Sequence, residues 1–288
     1  MNNSKNVLYK ILDVFLPLLI YYLASSIVSL GASTLIRNIA EGKGEAGVFW
    51  LYNNAQAVNA ICNGIGMIIG VLFLRVHFVS EVCAKGEVVR SYKWRIFRSA
   101  SHEGAKKIKA LGWDLYIPVI LSVAFAFFAN SVFSILNNLI NDSVFEEVAS
   151  GQFSVSVLWG VVLFGIVSPA SEEIVFRGVL LNKISRYTGR VSGVILSSFL
   201  FGLMHFNLVQ GVYGFLMGIL FAEAYIVFDC FAVPVIMHSL ANLCIYLGTV
   251  LGIYSEKSLY VIIPVSAVFT ILGIVLLIKK RNGKSEKV

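Results

Sequence analysis

The sequence predicts an all-α protein: a polytopic membrane helix bundle of about eight transmembrane helices, with both termini cytoplasmic. Three observations carry this. Of the 288 residues, 58% are hydrophobic, 21 are Phe and only 14% are charged, with a mean hydropathy of +0.82, whereas a soluble domain carries about 25% charged residues. Apolar runs of about 20 residues, the length that crosses roughly 30 Å of hydrocarbon, recur along the chain. The basic residues fall in blocks between alternate runs, as the preference of Lys and Arg for the cytoplasmic side demands.

The spans are expected near residues 11–35, 55–75, 116–136, 157–182, 191–208, 210–228, 232–251 and 259–278. Lys5 and Lys10 precede the first. Together with Ala24-Ser25-Ser26 they resemble a signal peptide, but the apolar run continues to about Ile36 and fits an uncleaved span. The second and third spans are separated by a basic stretch, Ser80 to Trp113, whose interleaved Tyr92, Trp94, Ile96 and Phe97 suit the inner headgroup level. Spans four and five form a hairpin about Thr188-Gly189. The sixth carries Gly211, Gly214 and Gly218, a small-residue stripe suited to close helix packing. With both termini inside, 20 of the 23 Lys and Arg lie on the inner side, leaving Arg37, Lys43 and Lys257 outside. This topology accounts for the net charge of +7 without nucleic acid, and the localisation expected is a multi-pass protein of the cell membrane. Cys62, Cys83, Cys230 and Cys244 show no C-x-x-C spacing, so neither disulfides nor a thiolate metal site is indicated.

Three polar clusters interrupt the apolar runs: Glu172-Glu173-x-x-x-Arg177, Phe201-x-x-x-His205 and His238-x-x-x-Asn242. Ionisable groups at membrane depth are costly, so each is a functional-site candidate whose partner must be found. Glu173 and Arg177 are four apart with the acid first, the favourable order for an ion pair on one helical face. Glu172 points about 100° away. Pro169 removes a backbone donor just upstream and should loosen this helix. His238 and Asn242 share a face of the seventh span, and His205 lies on the fifth. Glu172 and His205 each stand about 16 residues from the hairpin turn, hence at similar depth. Glu223, outside any cluster, is expected to be a packing or cavity residue.

Taken in order on successive helices, these three clusters resemble the motifs of the CPBP family of intramembrane proteases, which includes the type II CAAX prenyl endopeptidases and bacteriocin-processing or immunity proteins. The resemblance covers about residues 155–250. It implies a membrane peptidase with Glu172, His205, His238 and Asn242 in the site and Glu173 and Arg177 in support. It divides the chain into an N-terminal scaffold (1–150), a catalytic core (151–252) and a last span with a basic tail (253–288). Phe228-Asp229-Cys230-Phe231-Ala232 departs from the Thr-Gly-Ser-Leu-like turn expected before the third motif, which makes this chain a divergent member of the resemblance.

The chemistry required is an activated water, a proton donor for the leaving amine and donors for the oxyanion. Glu172 and His205 can supply the base and its partner, and Asn242 with His238 the oxyanion donors. No cofactor is required for this. A zinc set of Glu172, His205 and His238 is the alternative, although the H-E-x-x-H signature is absent. The expected partners are the lipid bilayer and a membrane-associated peptide or protein substrate. Two other functions compete: a non-catalytic immunity or scaffold protein of the same fold, and an ion-coupled transporter, which the lack of an internal repeat disfavours.

Overall fold

A computed structural model describes residues 2–83, 105–140 and 142–285. Most of the basic stretch between spans two and three, with Tyr92, Trp94, Ile96 and Phe97, lies outside the described residues. The described residues are helical and contain no strand. The helices are α1 (Asn2–Gly42), α2 (Glu45–Phe78, continued by a π-helical turn Val79–Cys83), α3 (Tyr116–Ile140), α4 (Ser143–Phe153), α5 (Val157–Thr188), α6 (Arg190–Leu203), α7 (Leu208–Phe228), α8 (Ala232–Val250) and α9 (Glu256–Ser285). Residues 105–111 and the 3₁₀ turn Gly112–Leu115 lead into α3.

Seven of these helices are long and apolar enough to cross a bilayer. The eighth expected span, α6, has 14 residues, about 21 Å at 1.5 Å per residue. It ends at Leu203, not at 208. Gly202 fixes the approach here, since a Cβ on it would lie 2.3 Å from the Gly211 carbonyl oxygen of α7. α4, an amphipathic helix between spans three and four, is a further element that the hydropathy reading did not anticipate. The signal was available in Asp142, whose carboxylate accepts the Phe145 amide at 3.1 Å as an N-cap ahead of Val144, Phe145 and Val148.

Apolar groups gain nothing by leaving lipid for one another, so close packing and polar contacts must hold the bundle. α1 and α2 form a hairpin in which Gly66 and Gly70 admit Ser25 of α1: a Cβ on either would lie 2.4 Å or less from a Ser25 oxygen. α5 is the axis. Its Val175, Phe176, Leu180 and Ile184 pack on Val14, Leu18 and Tyr21 of α1, Leu74 of α2 and Phe201 of α6. A second core joins Leu121 and Phe125 of α3, Phe221 of α7 and Met237 of α8. Outward residues such as Ile27, Val268 and Ile271, each more than 60% exposed, are the lipid-facing surface.

Most of the ion pairs among the described residues collect at one end. Asp13 of α1 pairs with Lys183, and Glu81 with Arg186, at the foot of α5. Glu223 of α7 pairs with Arg190 at 2.7 Å and lies 3.6 Å from Arg281, so it is an ion-pair residue of this end and not a cavity residue. Lys107 meets Asp229 at 3.0 Å, and Lys280 meets Asp114. α1, α3 and α6 present their N-terminal ends here and α2, α5, α7 and α9 their C-terminal ends, so successive members of the bundle alternate in direction. Arg177, grouped with the inner charges on sequence alone, is instead fully buried in the bundle.

Candidate functional site

Two π-helical stretches in α5, Leu163–Val167 and Ile174–Leu181, flank an α-helical segment Ser168–Glu173 that carries the first cluster. Such wide turns free backbone carbonyls and occur often at functional sites. Pro169, which cannot donate to the preceding turn, follows the first of them. Side chains take up the freed carbonyls. Asn242 Nδ2 donates to Phe164 O at 3.0 Å, and Asn182 Nδ2 to Arg177 O and Gly178 O at 3.0 and 3.1 Å. The loosening expected at Pro169 is thus built as two widened turns.

The ion pair expected on one face of this helix is present. Glu173 Oε1 accepts from Arg177 Nη1 at 2.7 Å, with both side chains fully buried. Arg177 also donates to the Gly218 carbonyl of α7 at 3.1 Å, and its guanidinium lies 4.5 Å from the Phe201 ring and 5.4 Å from that of Phe221. The same Glu173 oxygen accepts from His238 Nδ1 at 2.8 Å. Because a carboxylate only accepts, Nδ1 carries the proton and His238 turns Nε2 to the other side. There it stands 3.8 Å from Glu172 Oε2. Glu172 itself is 19% exposed, in contrast to its neighbour, and takes a short hydrogen bond from the Ser168 hydroxyl.

His205 lies past the end of α6, in the turn Met204–Asn207, and not on the helix as its sequence position suggested. This turn is strained at Phe206, a bulky residue with φ of 56°. Its neighbours over-determine it. Asn207 Nδ2 donates to His205 O at 3.0 Å, while Asn207 Oδ1 accepts the Gln210 amide as the N-cap of α7. From outside the motif, the second carboxylate oxygen of Asp142 accepts the Leu208 and Val209 amides at 2.9 and 3.3 Å. The Asp142 carboxyl is held below the ordinary carboxylate range, chiefly by the Phe145 amide, with desolvation opposing and the Val209, Leu208 and Val144 amides adding. His205 Nδ1 lies 2.9 Å from the Phe201 carbonyl, so it donates there and leaves Nε2 bare.

These groups meet around a cavity of about 290 Å³ lined by Ser168, Glu172, Phe201, His205, His238 and Asn242, among others. The four residues singled out from sequence share this space, and Glu173 and Arg177 stand behind its wall. Phe201 packs edge-on against both His205 and His238. Sequence reasoning missed Ser168, Phe221 and Asp142, which lie outside the motifs. It also took residues 1–150 for scaffold alone, yet α1 and α2 line a second cavity of about 540 Å³ that shares Glu172, Phe201 and His205 with the first. Among the described residues no three His, Cys, Asp or Glu side chains converge as a metal site requires. The zinc set of Glu172, His205 and His238, allowed by residue type, is therefore not supported by their placement.

Residues 154–244, about a third of the chain, match the family model described as type II CAAX prenyl endopeptidase Rce1-like. The match takes in all three clusters and supports the resemblance drawn from them. No curated protein and no solved structure matches the chain.

Proposed function

We propose that the Rce1-like segment is the catalytic part of an intramembrane endopeptidase of the cell membrane, cleaving a peptide bond in a membrane-associated peptide or protein. The observation that carries this reading is the convergence of Glu172, His205, His238 and Asn242 on one cavity inside the bundle. Glu172 takes a proton from a water whose oxygen attacks the scissile carbonyl carbon, with the free Nε2 of His205 orienting that water. The charge that develops on the carbonyl oxygen is met by the Asn242 Nδ2–H not used by Phe164 and by Nε2–H of His238 in its imidazolium form, whose Nδ1–H Glu173 holds. Collapse of the tetrahedral intermediate breaks the C–N bond, and the amine leaves with the proton carried by Glu172. Ser168 orients Glu172 through its hydroxyl.

The test is cleavage of a quenched-fluorescence peptide library by the full chain purified in detergent. Glu172→Gln and His205→Ala should abolish turnover and leave the melting curve close to that of the wild type, because residues acting as one unit fail together. Asn242→Ala should retain a trace, since one oxyanion donor is worth about 10²–10³ in rate. Undiminished turnover by Glu172→Gln would sink the assignment of the base.

A further inference from the structure

The second cavity is the larger, and its mainly apolar walls are interrupted by a row of polar side chains: Tyr21, Tyr22, Ser25, Ser26, Ser29 and Ser33 of α1 with Asn63 of α2. Hydroxyls facing hydrocarbon alone would be poorly satisfied. Ser29 donates to Asn63 Oδ1 at 2.5 Å and Ser33 to the Leu30 carbonyl at 3.0 Å, so each keeps lone pairs able to accept. Deeper in, the Tyr21 and Ser25 hydroxyls neighbour one another, and neither meets a donor or acceptor with hydrogen-bond geometry. Tyr21 is only 2% exposed. Two buried hydroxyls that adjoin only each other keep hydrogen-bonding capacity that a further group can take up.

The spacing indicates what that is. Ser25, Ser29 and Ser33 are four residues apart, about 6 Å along the helix axis. An extended polypeptide repeats its edge N–H and C=O groups every two residues, about 6.6 Å. Ser29 and Ser33 present acceptors at this interval, which matches successive edge N–H groups of an extended chain, in a groove that ends at Glu172 and His205, which line both cavities. An isoprenoid tail, having no N–H, would leave the remaining acceptor lone pairs of Ser29 and Ser33 unused. An almost wholly apolar cleft exists elsewhere, between α3 and α9, around Phe127, Ile262 and Phe269.

We infer that the α1–α2 groove binds an extended, unprenylated polypeptide segment of the substrate through its backbone edge and feeds it to Glu172 and His205. This deepens the peptidase reading and rests on it for the word substrate, but the groove can be tested without cleavage. Full-length Glu172→Gln protein in nanodiscs is titrated with a fluorescein-labelled Val-Thr repeat peptide and followed by anisotropy. Adding Ser29→Val with Ser33→Val should weaken binding about tenfold, the effect of losing one or two hydrogen bonds. Ser29→Ala with Ser33→Ala provides the same test without added bulk should the valines misfold. Ile27→Ser, on the lipid-facing side of the same helix, should change nothing. Farnesyl-cysteine methyl ester should not displace the peptide. Equal affinity in the alanine variant, displacement by the farnesyl compound, or no peptide binding at all would overturn the inference. Cleavage by Glu172→Gln would instead overturn the peptidase mechanism and leave the affinity series to judge the groove.

Discussion

Glu172 and Glu173 are adjacent in sequence and opposite in circumstance: one faces a cavity, the other is sealed between Arg177 and His238. Removing one partner of a buried pair leaves an uncompensated charge, which costs about 3–5 kcal/mol. Arg177→Ala should therefore lower the melting temperature strongly, and Glu173→Gln in the same chain should restore part of it. Thermal unfolding of the single and double variants in detergent measures this. If Arg177→Ala melts like the wild type and loses only turnover, Arg177 acts on the chemistry and not as a brace. This division of labour was legible because helical spacing alone sets Glu173 over Arg177 and turns Glu172 aside. The link from Glu173 to His238 was not legible, since it crosses from α5 to α8 and depends on how those helices pack.

At the scale of elements, Asp142 joins two helix starts with one carboxylate, capping α4 with one oxygen and receiving the first amides of α7 with the other. Through α7 it holds the turn that carries His205. A carboxyl whose folded pKa is depressed contributes stability that is fully present above its unfolded pKa, about 3.9, and is lost as pH falls through the lower folded value. Asp142→Ala should thus melt below the wild type at neutral pH, and the gap should close as the pH is taken below about 4. A gap that persists unchanged well below that acidity, once the folded carboxyl has itself taken up its proton, would mean that the charge of Asp142 plays no part. Neither α4 nor the early end of α6 was legible from hydropathy. The apolar run continues through Met204 and Phe206, whereas the backbone leaves the helix where Gly202 meets Gly211. The hairpin argument survived because it depended only on residue counts about Gly189, where φ is 87°.

For the whole molecule, the ion pairs at one end and the acidic α4 at the other provide a direct test of orientation. With the basic end cytoplasmic, reporter fusions after Lys109, Arg190 and Lys284 should read inside and one after Glu147 outside. An external signal at Arg190 would invert the bundle and the face from which α4 borders the cavity. The bundle as a class was legible from composition, because lipid tolerates little but helices with satisfied backbones. The part α1 plays beside the site was not legible, since scattered serines in an apolar run carry no signal until a partner helix is set against them. The brevity of α6 also bears on the surrounding lipid. A helix of about 21 Å set in hydrocarbon of about 30 Å leaves a shortfall that thinning of the bilayer around the Met204–Asn207 turn would meet. Such a dimple would bring the aqueous boundary down toward His205 and give hydrolytic water a route that a full-length span would close. Turnover in nanodiscs should then fall as acyl chains lengthen, at unchanged melting temperature. Turnover independent of chain length would show that water reaches His205 through the protein alone.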